Sequence, residues 1–366
     1  MYELAAHTAV ALGHPGETVL VFVSGLAAIE AIVDVLAQPD FAFEADRMRQ
    51  NAGFGPLPPI QVIPMHSLLS HEDQLRAFSE DFSARMRIVV ATNIAESSVT
   101  IPGVTAVIDF GRHKEVRFDP ALNAAVLRLH WISQASVQQR SGRAGRLEPG
   151  LVVRLFSRHF MSECLAPFDE PEMLRLALDH VVLRIKTLAL EGEDGKPAST
   201  RGILEEAPQP PDIEAVDAAL RSLVEVGAVA KLQKSIGGRD SDDGPLTPLG
   251  KTLASFPGEL RAGLLLVFGD ALGLAADGVL LAAAASASDI FMKPNVLDAR
   301  NRTAADLHDI VLRVANARLG FDAGLCSDLI AARNAYIAWR KVPVPARPRW
   351  CYDRGIVPQR MRGLHA

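Results

Sequence analysis

The chain has 366 residues, with 38 lysines and arginines against 43 aspartates and glutamates, and its length predicts two or three domains of about 150 residues each. Hydrophobic residues make up 49% and charged residues 22%, which are ordinary values for globular proteins and exclude wholesale disorder. The net charge of −5 excludes a polybasic protein that coats nucleic acid by bulk charge, but it does not exclude a local basic groove.

The first third of the chain alternates strand-like and helix-like segments. Continuous apolar and β-branched runs predict buried strands at residues 19–23, 60–65, 87–92 and 105–111. Apolar residues at helical spacing predict a helix at 27–36, and a polar segment predicts another at 72–82. The Pro- and Gly-containing stretch 40–59 predicts an inserted loop. This alternation predicts an α/β domain with a parallel sheet and helices on both faces.

Residues 112–132 break this rhythm and predict a β-hairpin. Two extended segments flank the turn-like sequence DPALN at residues 119–123. After residue 133 the pattern becomes helical, and little strand signal remains beyond Glu170. Two polar stretches, 191–200 and 234–245, predict mobile loops. The sequence therefore predicts an α/β domain to about residue 157 and a mostly α-helical remainder.

The strongest chemical signal is the sequence QRSGRAGR at residues 139–146. Ser136 and Gln139 have the spacing of a capping box that would begin a helix, and Arg140 and Arg143 would then share one face of it. Arginines on a rigid element suit the neutralisation of a phosphoryl transition state. A solvated basic helix face explains the same spacing about equally well, so the spacing alone leaves both interpretations open.

Longer segments around this motif resemble the DEAH-box family of superfamily 2 RNA helicases. ATNIAESSVTIPGVTAVIDFG (residues 91–111) resembles motif V, and SQASVQQRSGRAGR (133–146) resembles motif VI. VLVFVSGLAAIE resembles motif IV, and later segments resemble the winged-helix and ratchet domains, so the resemblance covers nearly the whole chain. It implies a second RecA-like domain at 1–157, a mostly α winged-helix domain at 158–257, a helical ratchet domain at 258–342, and a basic, Pro-rich tail at 343–366 that leads to a missing OB-fold.

The resemblance also implies which residues face a nucleotide. Arg143 and Arg146 match arginine fingers on the γ-phosphate, and Gln139 matches the residue near the attacking water; these three are the implied catalytic residues. Phe78 matches the aromatic residue that stacks on adenine, and Thr100 lies where motif V approaches the nucleotide. The implied cofactor is ATP with Mg²⁺, whose ligands are expected on the family's first RecA-like domain.

RNA is the implied partner. Six residues match positions that approach the RNA backbone in the family: Ser24, Gly25, Thr92, Asn93, Ser98 and Lys114. Small hydroxyl residues and N–H groups at strand ends, with an occasional lysine, suit recognition of the backbone without base specificity. Ordinary turn or capping chemistry explains Ser24, Ser98 and Thr100 individually. The predicted hairpin matches the family's strand-separating hairpin. DNA is a lesser alternative substrate, and some relatives dock an activator protein on the winged-helix and RecA-like surfaces.

The sequence contains neither a G-x-x-x-x-G-K-[ST] motif nor a DEAH tetrapeptide. GPLTPLGKT at 244–252 resembles such a motif, but it has five residues between its glycines instead of four, and its prolines remove N–H donors. We therefore expect the C-terminal half of an ATP-dependent RNA helicase that has no ATPase activity by itself. The alternative is a non-enzymatic RNA- or protein-binding module that retains the helicase scaffold.

The remaining signals concern the compartment and the charged segments. Three widely spaced cysteines fit a reducing compartment, the N-terminus lacks a signal peptide, and the longest charge-free apolar run is too short for a bilayer, so we expect an intracellular protein, cytoplasmic or nuclear, without a membrane partner. The acidic pairs at 169–170 and 242–243 are interpreted as solvated loop charges. The basic, aromatic-containing stretch 333–362 predicts either a nucleic-acid surface or an extension without its packing partner.

Overall fold

A computed structural model describes residues 1–66, 83–97, 100–119, 122, 124–144, 149–188, 199–231, 243–256, 258–292 and 304–365, with the backbone alone for 304–307. The chain divides into two compact units, Met1–Leu176 and Ala177–Ala366. The predicted helix at 72–82 and most of the predicted loops at 191–200 and 234–245 lie outside the described residues. So do three of the candidate site residues: Phe78, Ser98 and Arg146.

The first unit is built on a parallel sheet of five strands in the order β2-β3-β1-β4-β7. Its strands are β1 Thr18–Phe22, β2 Ile60–Met65, β3 Met86–Ala91, β4 Val104–Asp109 and β7 Leu151–Arg154. The four predicted strands are confirmed to within two residues at each end. The fifth, β7, was not predicted because its four residues are too few to produce a periodic signal.

Burial explains why the central strands have continuous apolar sequences. β1 and β3 are buried along their whole length, as expected for strands covered on both faces. Leu20 and Phe22 pack in one cluster with Ala95 and Ala144, whereas the alternate residues of β1 point to the opposite face. Two helices that pack against each other, α1 Tyr2–Leu12 and α2 Leu26–Leu36, contact the sheet.

The prediction of an inserted loop at 40–59 is wrong for its first half, which forms helix α3 Pro39–Asn51. Pro39 occupies the first turn, where its missing N–H has no consequence, and Phe41, Ala45 and Arg49 recur every four residues on the buried face. The Arg49 guanidinium donates hydrogen bonds to the carbonyl oxygens of Val10 and Gly13, the latter at 2.9 Å, at the end of α1. Arg49 bonds to carbonyl groups at the end of a different helix, and the sequence around Arg49 does not indicate that contact.

The predicted hairpin is confirmed as two antiparallel strands, β5 Arg112–Asp119 and β6 Ala124–Trp131. It begins at Gly111, whose φ of 70° favours glycine. The Gly111 N–H donates to Asp109 Oδ1 at 2.8 Å, and a β-carbon at Gly111 would lie 2.7 Å from the ring of Phe156. The base of the hairpin is therefore fixed both by hydrogen bonding and by packing.

Four short helices are also found in the described part of the first unit: α4 Ile94–Ser97, α5 Gln134–Ser141, α6 Arg158–Glu163 and α7 Glu172–Arg175. The predicted capping box at Ser136 and Gln139 is wrong. The N-cap of α5 is Ser133, whose hydroxyl accepts a hydrogen bond from the Ser136 N–H at 3.0 Å. Helix α5 therefore begins before Ser136 and ends at Ser141, so that Arg143 lies in the turn that follows the helix.

The second unit begins with the helices α8 Asp179–Leu188, α9 Thr200–Glu205, α10 Ile213–Glu225 and α11 Pro248–Ser255. The P-loop-like segment lies at the start of α11. The Gly250 N–H donates to the Thr247 hydroxyl at 3.0 Å, and a β-carbon at Gly250 would lie 2.0 Å from the Ala228 carbonyl oxygen. This glycine therefore allows close packing within the domain and does not form a phosphate cradle.

Asp243 is not a solvated loop charge, so that interpretation is wrong for this residue. Its side chain is 9% exposed and accepts hydrogen bonds from Lys186 Nζ at 2.6 Å and the Thr200 hydroxyl at 2.7 Å. Although burial opposes it, these bonds hold the pKa of Asp243 below its usual value. Asp243 therefore ties α8 to α9.

Six further helices are found among the described residues of the second unit: α12 Leu260–Ala271, α13 Ala275–Ser286, α14 Ala304–Asp322, α15 Asp328–Arg340, α16 Arg347–Tyr352 and α17 Pro358–Gly363. We expected a tail at 343–366, but this segment packs into the helical core instead. Cys351 and Met361 are buried in one cluster with Trp339. Among the described residues, no helix combines the length and apolarity needed to cross a membrane.

Candidate functional site

The candidate RNA-binding residues follow three neighbouring strands of the sheet. Ser24 and Gly25 come directly after β1, and Thr92 and Asn93 come directly after β3. The strand order places β1 between β3 and β4, and β4 leads into the hairpin that carries Lys114. Because the carboxyl ends of parallel strands meet at one edge, these residues share the edge where ligands of open α/β sheets bind.

Lys114 lies directly over Gly25. A β-carbon at Gly25 would be 3.2 Å from Lys114 Cε and 3.3 Å from Nζ, so a larger residue here would require the end of the lysine side chain to shift by a few tenths of an ångström. Gly25 is also the N-cap residue of α2, where the helix dipole adds partial positive charge. The lysine ammonium and the helix N-terminus together suit a phosphate group. The backbone N–H of Thr92 is not available to a phosphate in the same way, because it already donates to the Met65 carbonyl at 3.1 Å.

Asn93 and Lys114 also line one cavity of about 540 Å³ beside the hairpin. Five carboxylates line it as well: Glu96, Glu115, Asp169, Glu170 and Glu172. Arginines pair with four of them, but carboxylates outnumber the two cations of the lining, Lys114 and Arg175, which disfavours a phosphate inside this cavity. The place where the Lys114 ammonium suits an RNA phosphate is therefore beside Gly25, and not inside the cavity.

The candidate nucleotide-binding residues differ in their exposure and in their hydrogen bonds. Gln139 is exposed on α5, and Thr100 is exposed just before β4. Arg143 is 8% exposed, and its Nε donates to the Glu96 carbonyl oxygen at 2.9 Å, with a second bond from Nη2 to the same oxygen. Amide, hydroxyl and guanidinium groups fit the oxygens of a triphosphate. None of them is a carboxylate, the ligand that Mg²⁺ prefers in proteins, so they fit the nucleotide and not its metal ion.

A buried ion cluster connects these residues, and sequence reasoning missed most of it. Glu96 accepts hydrogen bonds from the Ser136 hydroxyl at 2.6 Å and from Arg140 Nε at 3.0 Å. Arg140 Nη1 also donates to Asp109 Oδ1 at 2.9 Å, and its guanidinium lies 4.9 Å from the centre of the Phe22 ring. The Arg140 side chain is fully buried. It is therefore a structural arginine that joins α4 and the end of β4 to α5.

One signal could have revealed this cluster. Asp109 ends an apolar strand that must be buried, and a buried carboxylate requires a cationic partner. Glu96 lies within motif V, four residues after Thr92, but nothing in its local sequence identifies Arg140 as its partner. The partnership depends on the packing of α5 against the sheet edge.

Asp169 is an exposed loop residue, as interpreted from the sequence, and its carboxylate also holds the start of α5. It accepts a hydrogen bond from the Ser133 N–H at 3.3 Å, and its Oδ2 lies 3.2 Å from the Ser136 hydroxyl, whose shorter bond goes to Glu96. The next two N–H groups of α5, from Gln134 and Ala135, donate to carbonyl oxygens of residues 166 and 167. The first N–H groups of this helix are therefore occupied by protein, and they do not form an anion site.

His113 lies on the hairpin close to the ion cluster. Its Nε2 is 3.7 Å from a carboxylate oxygen of Glu115. Burial lowers the pKa of His113 below the ordinary 6.5; Glu115 opposes this shift, and the positive charge of Arg140 adds to it. His113 therefore favours its neutral form in the folded protein.

Comparison with known proteins gives two family matches and many relatives. Residues 4–148 match the helicase conserved C-terminal domain, and residues 219–257 match the winged-helix helicase associated domain (HA2). A putative DEAH-box ATP-dependent helicase of Mycosarcoma maydis is 32% identical over 96% of this chain and 20% of its own length. The ATP-dependent RNA helicase TDRD9 of Danio rerio is 33% identical over 89% of the chain and 22% of its own length.

A third relative is the probable ATP-dependent RNA helicase DHX34 of Mus musculus, which is 32% identical over 93% of this chain and 26% of its own length. In all three alignments, nearly the whole chain is matched. The chain therefore spans about a fifth to a quarter of the length of these relatives.

Proposed function

Because the chain belongs to the DEAH-type family of superfamily 2 helicases, we propose that it forms the part of an ATP-dependent RNA helicase that supplies arginine fingers and one side of the RNA path. The complete enzyme would couple ATP hydrolysis to translocation on single-stranded RNA and to duplex unwinding. The observation that carries this proposal is the meeting of Ser24, Gly25 and Asn93 with Lys114 at one edge of the sheet.

RNA recognition at this edge would use the sugar–phosphate backbone. The N-terminus of α2 and the Lys114 ammonium supply positive charge for one phosphate, and Asn93 supplies a side-chain amide on the neighbouring strand end. The helix N-terminus and the Lys114 ammonium act on phosphate charge, which carries no sequence information. Ser24, Thr92 and Ser98 would add hydroxyl groups. The expected binding is therefore independent of RNA sequence and sensitive to salt.

The nucleotide would be approached by Gln139, Arg143 and Arg146, together with Phe78 and Thr100. ATP supplies the phosphoanhydride bond whose hydrolysis drives translocation. Arg143 and Arg146 would stabilise the negative charge that develops during phosphoryl transfer, and Gln139 would orient the attacking water. Arginine fingers are worth about 10³ to 10⁵ in rate in comparable enzymes.

These residues cannot act alone. The Walker lysine and the acidic Mg²⁺ ligands are missing from the 366 residues and would come from another domain. We therefore expect the isolated chain to bind RNA without ATP and to have no RNA-stimulated ATPase activity. ATP turnover by the purified chain that is lost on Arg143→Ala would contradict this expectation.

The test is binding of a fluorescent single-stranded RNA 12-mer to the purified chain, measured by anisotropy over a series of salt concentrations. Asn93→Ala should weaken binding several-fold, whereas Asn51→Ala, an exposed asparagine at the end of α3, should leave it unchanged. Equal affinity for a matched DNA strand would identify a nucleic-acid translocase that is not restricted to RNA. Absence of RNA binding at low salt would overturn the proposal.

A further inference from the structure

We propose that Glu96 is a positioning residue for Arg143, and that Ser136 assists it. The side chain of Glu96 anchors helix α4 to helix α5, and the backbone carbonyl of the same residue holds the guanidinium of Arg143. This inference rests on the proposed function, because it concerns how the implied arginine finger is held before it meets a phosphate. It deepens that function by assigning two further residues to the orientation of Arg143.

The contact with Arg143 lies at the end of a very short helix. Helix α4 has four residues, Ile94–Ser97, and is therefore little more than a single turn. Carbonyl groups in the last turn of a helix have no partner within the helix, and they lie at the negative end of its dipole. An arginine side chain is a suitable partner for such a carbonyl. Arg143 therefore caps α4, and its place depends on where α4 lies.

Two hydrogen bonds from one guanidinium fix its orientation as well as its place. Nε and Nη2 of Arg143 both donate to the Glu96 carbonyl oxygen, the first at 2.9 Å, and the residue is 8% exposed. The guanidinium is planar and its N–H groups form a rigid fork, so fixing one edge fixes the direction of the others. A donor that is oriented in advance needs little reorganisation when it stabilises a developing charge.

The short helix cannot fix this carbonyl by itself. A single turn is unstable in isolation because nucleation of a helix is costly, so contacts from elsewhere must hold α4. The Glu96 side chain provides them, since it accepts from the Ser136 hydroxyl at 2.6 Å and from Arg140 Nε at 3.0 Å. Ser136 is 3% exposed and the Arg140 side chain is fully buried. Glu96 therefore binds α5 with its side chain and Arg143 with its main chain.

The spacing along α5 explains why one residue of α4 meets all three partners. Ser136 and Arg140 are four residues apart and share one face of the helix, and Arg143 follows three residues later in the turn after it. Arg140 also has a support that does not involve Glu96, because its Nη1 donates to Asp109 Oδ1 at 2.9 Å. A change at Glu96 or Ser136 should therefore affect Arg143 more than Arg140.

The experiment measures how fast phenylglyoxal modifies individual arginines of the purified chain, without RNA or nucleotide, by peptide mass spectrometry. The reagent reaches a buried side chain only when the local structure opens, so the rate reports the open fraction. In the wild-type chain, Arg143 should react at least about tenfold more slowly than Arg158, which is exposed. Arg140 serves as the internal reporter of general unfolding.

Ser136→Ala should raise the modification rate of Arg143 about fivefold, because it removes a hydrogen bond to the carboxylate that anchors α4. Ser136→Thr retains the hydroxyl and should stay within about twofold of the wild-type rate. Glu96→Gln retains the side-chain length and the backbone carbonyl, and it should raise the rate at least as much as Ser136→Ala. This third variant separates the bond to Glu96 from the longer contact between Ser136 and Asp169.

The matched control is Ser141→Ala, on the same helix and nearer to Arg143 in sequence. The Ser141 hydroxyl donates to the Val137 carbonyl at 2.7 Å, within α5, and accepts from Arg154. Its removal should change the rate at Arg143 less than about twofold, because it does not loosen α4. Urea unfolding of each variant checks that the first unit remains folded.

Three results would overturn the positioning role. The first is an unchanged rate at Arg143 in both Ser136→Ala and Glu96→Gln. The second is an equal rise at Arg140 and Arg143, which would show a general loosening of the unit. The third is an effect of Ser141→Ala or Ser136→Thr as large as that of Ser136→Ala, which would remove the role of the hydroxyl at residue 136.

The two proposals fail in different ways. If the wild-type chain does not bind RNA at low salt, the proposed function is overturned, whereas the hold of Glu96 on the Arg143 guanidinium is still decided by the modification rates. If the chain binds RNA but the rate at Arg143 does not depend on Ser136 or Glu96, the positioning role is wrong and the proposed function stands.

Discussion

The two units of the molecule both contain clustered arginines, but they hold them by different chemistry. In the first unit, Arg140 is fully buried between the carboxylates of Glu96 and Asp109. In the second, Arg347 lies 4.0 Å from the centre of the Trp339 ring, and Arg354 lies 4.4 Å from that of Trp350. Acids neutralise Arg140, whereas Arg347 and Arg354 stack on aromatic rings.

This difference shows that a run of arginines in a sequence does not predict their role. The basic stretch 333–362 has the composition of a nucleic-acid surface, yet the structure uses Arg347 and Arg354 to cover aromatic side chains. In motif VI, Arg140 is structural, whereas Gln139 beside it is exposed. Substitution of the buried Arg140 leaves two carboxylates without a cation. Substitution of a stacked arginine such as Arg347 leaves only an aromatic ring without its cover.

The largest expected effect is that of Arg140→Ala. Removing this side chain leaves Glu96 and Asp109 without their cation at the sheet edge, and we expect a loss of about 3–5 kcal/mol in the free energy of unfolding. Urea unfolding, followed by hydrogen exchange of peptides from residues 1–176, measures it. Arg140→Lys retains the charge and should lose less. A loss below about 1 kcal/mol for Arg140→Ala would show that the cluster does not stabilise the first unit.

A smaller effect is expected for Arg347→Ala, which tests the other side of the comparison. This variant removes the stacking on Trp339 and a hydrogen bond from Nε to the Val342 carbonyl at 3.1 Å. We expect a loss of about 1 kcal/mol, measured by urea unfolding with hydrogen exchange of peptides from residues 177–366. Arg349→Ala, at a largely exposed arginine, is the control. A loss as large as that of Arg140→Ala would remove the distinction between the two environments.

The smallest effect concerns pH and His113. Burial first, with a contribution from Arg140, lowers the pKa of His113 below 6.5, so the folded protein binds this proton more weakly than the unfolded chain. The stabilisation from neutral His113 is therefore complete above about pH 6.5 and decreases as the pH falls below it. His113→Gln should flatten this part of the stability curve of the first unit, and His159→Gln, an exposed histidine, should not. An unchanged curve for His113→Gln would contradict the assignment.

Much of the α/β unit could be predicted from the sequence, because continuous apolar runs identify β1, β2, β3 and β4 without knowledge of their neighbours. The hairpin followed from its turn sequence in the same way. Helix α3 could not be predicted, since its polar composition conceals the three buried residues at four-residue spacing. The start of α5 was predicted three residues too late. Ser133 and Ser136 both have side chains that can cap a helix, and the local sequence does not distinguish between them.

The candidate site, like the fold, could be predicted from the sequence only in part. The candidates Gly25, Asn93 and Lys114 come from separate segments, and only the strand order brings them to one edge. The ion cluster depends still more on packing, because Glu96, Asp109 and Arg140 lie in different elements and satisfy each other only after folding. Local patterns therefore identify residues with suitable chemistry, whereas their partners are fixed by contacts between distant segments.

The fixed base of the hairpin has a mechanical consequence. Gly111 is held by Asp109 and packed against Phe156, and the Ile132 N–H donates to the Gly111 carbonyl at 3.0 Å, so both strands of the hairpin are attached to the sheet at their base. Eight residues of β5 extend about 26 Å. A rotation of the sheet by about 10° would therefore move the tip of the hairpin through roughly 4–5 Å, which exceeds the rise of about 3.4 Å per nucleotide along one strand of a duplex.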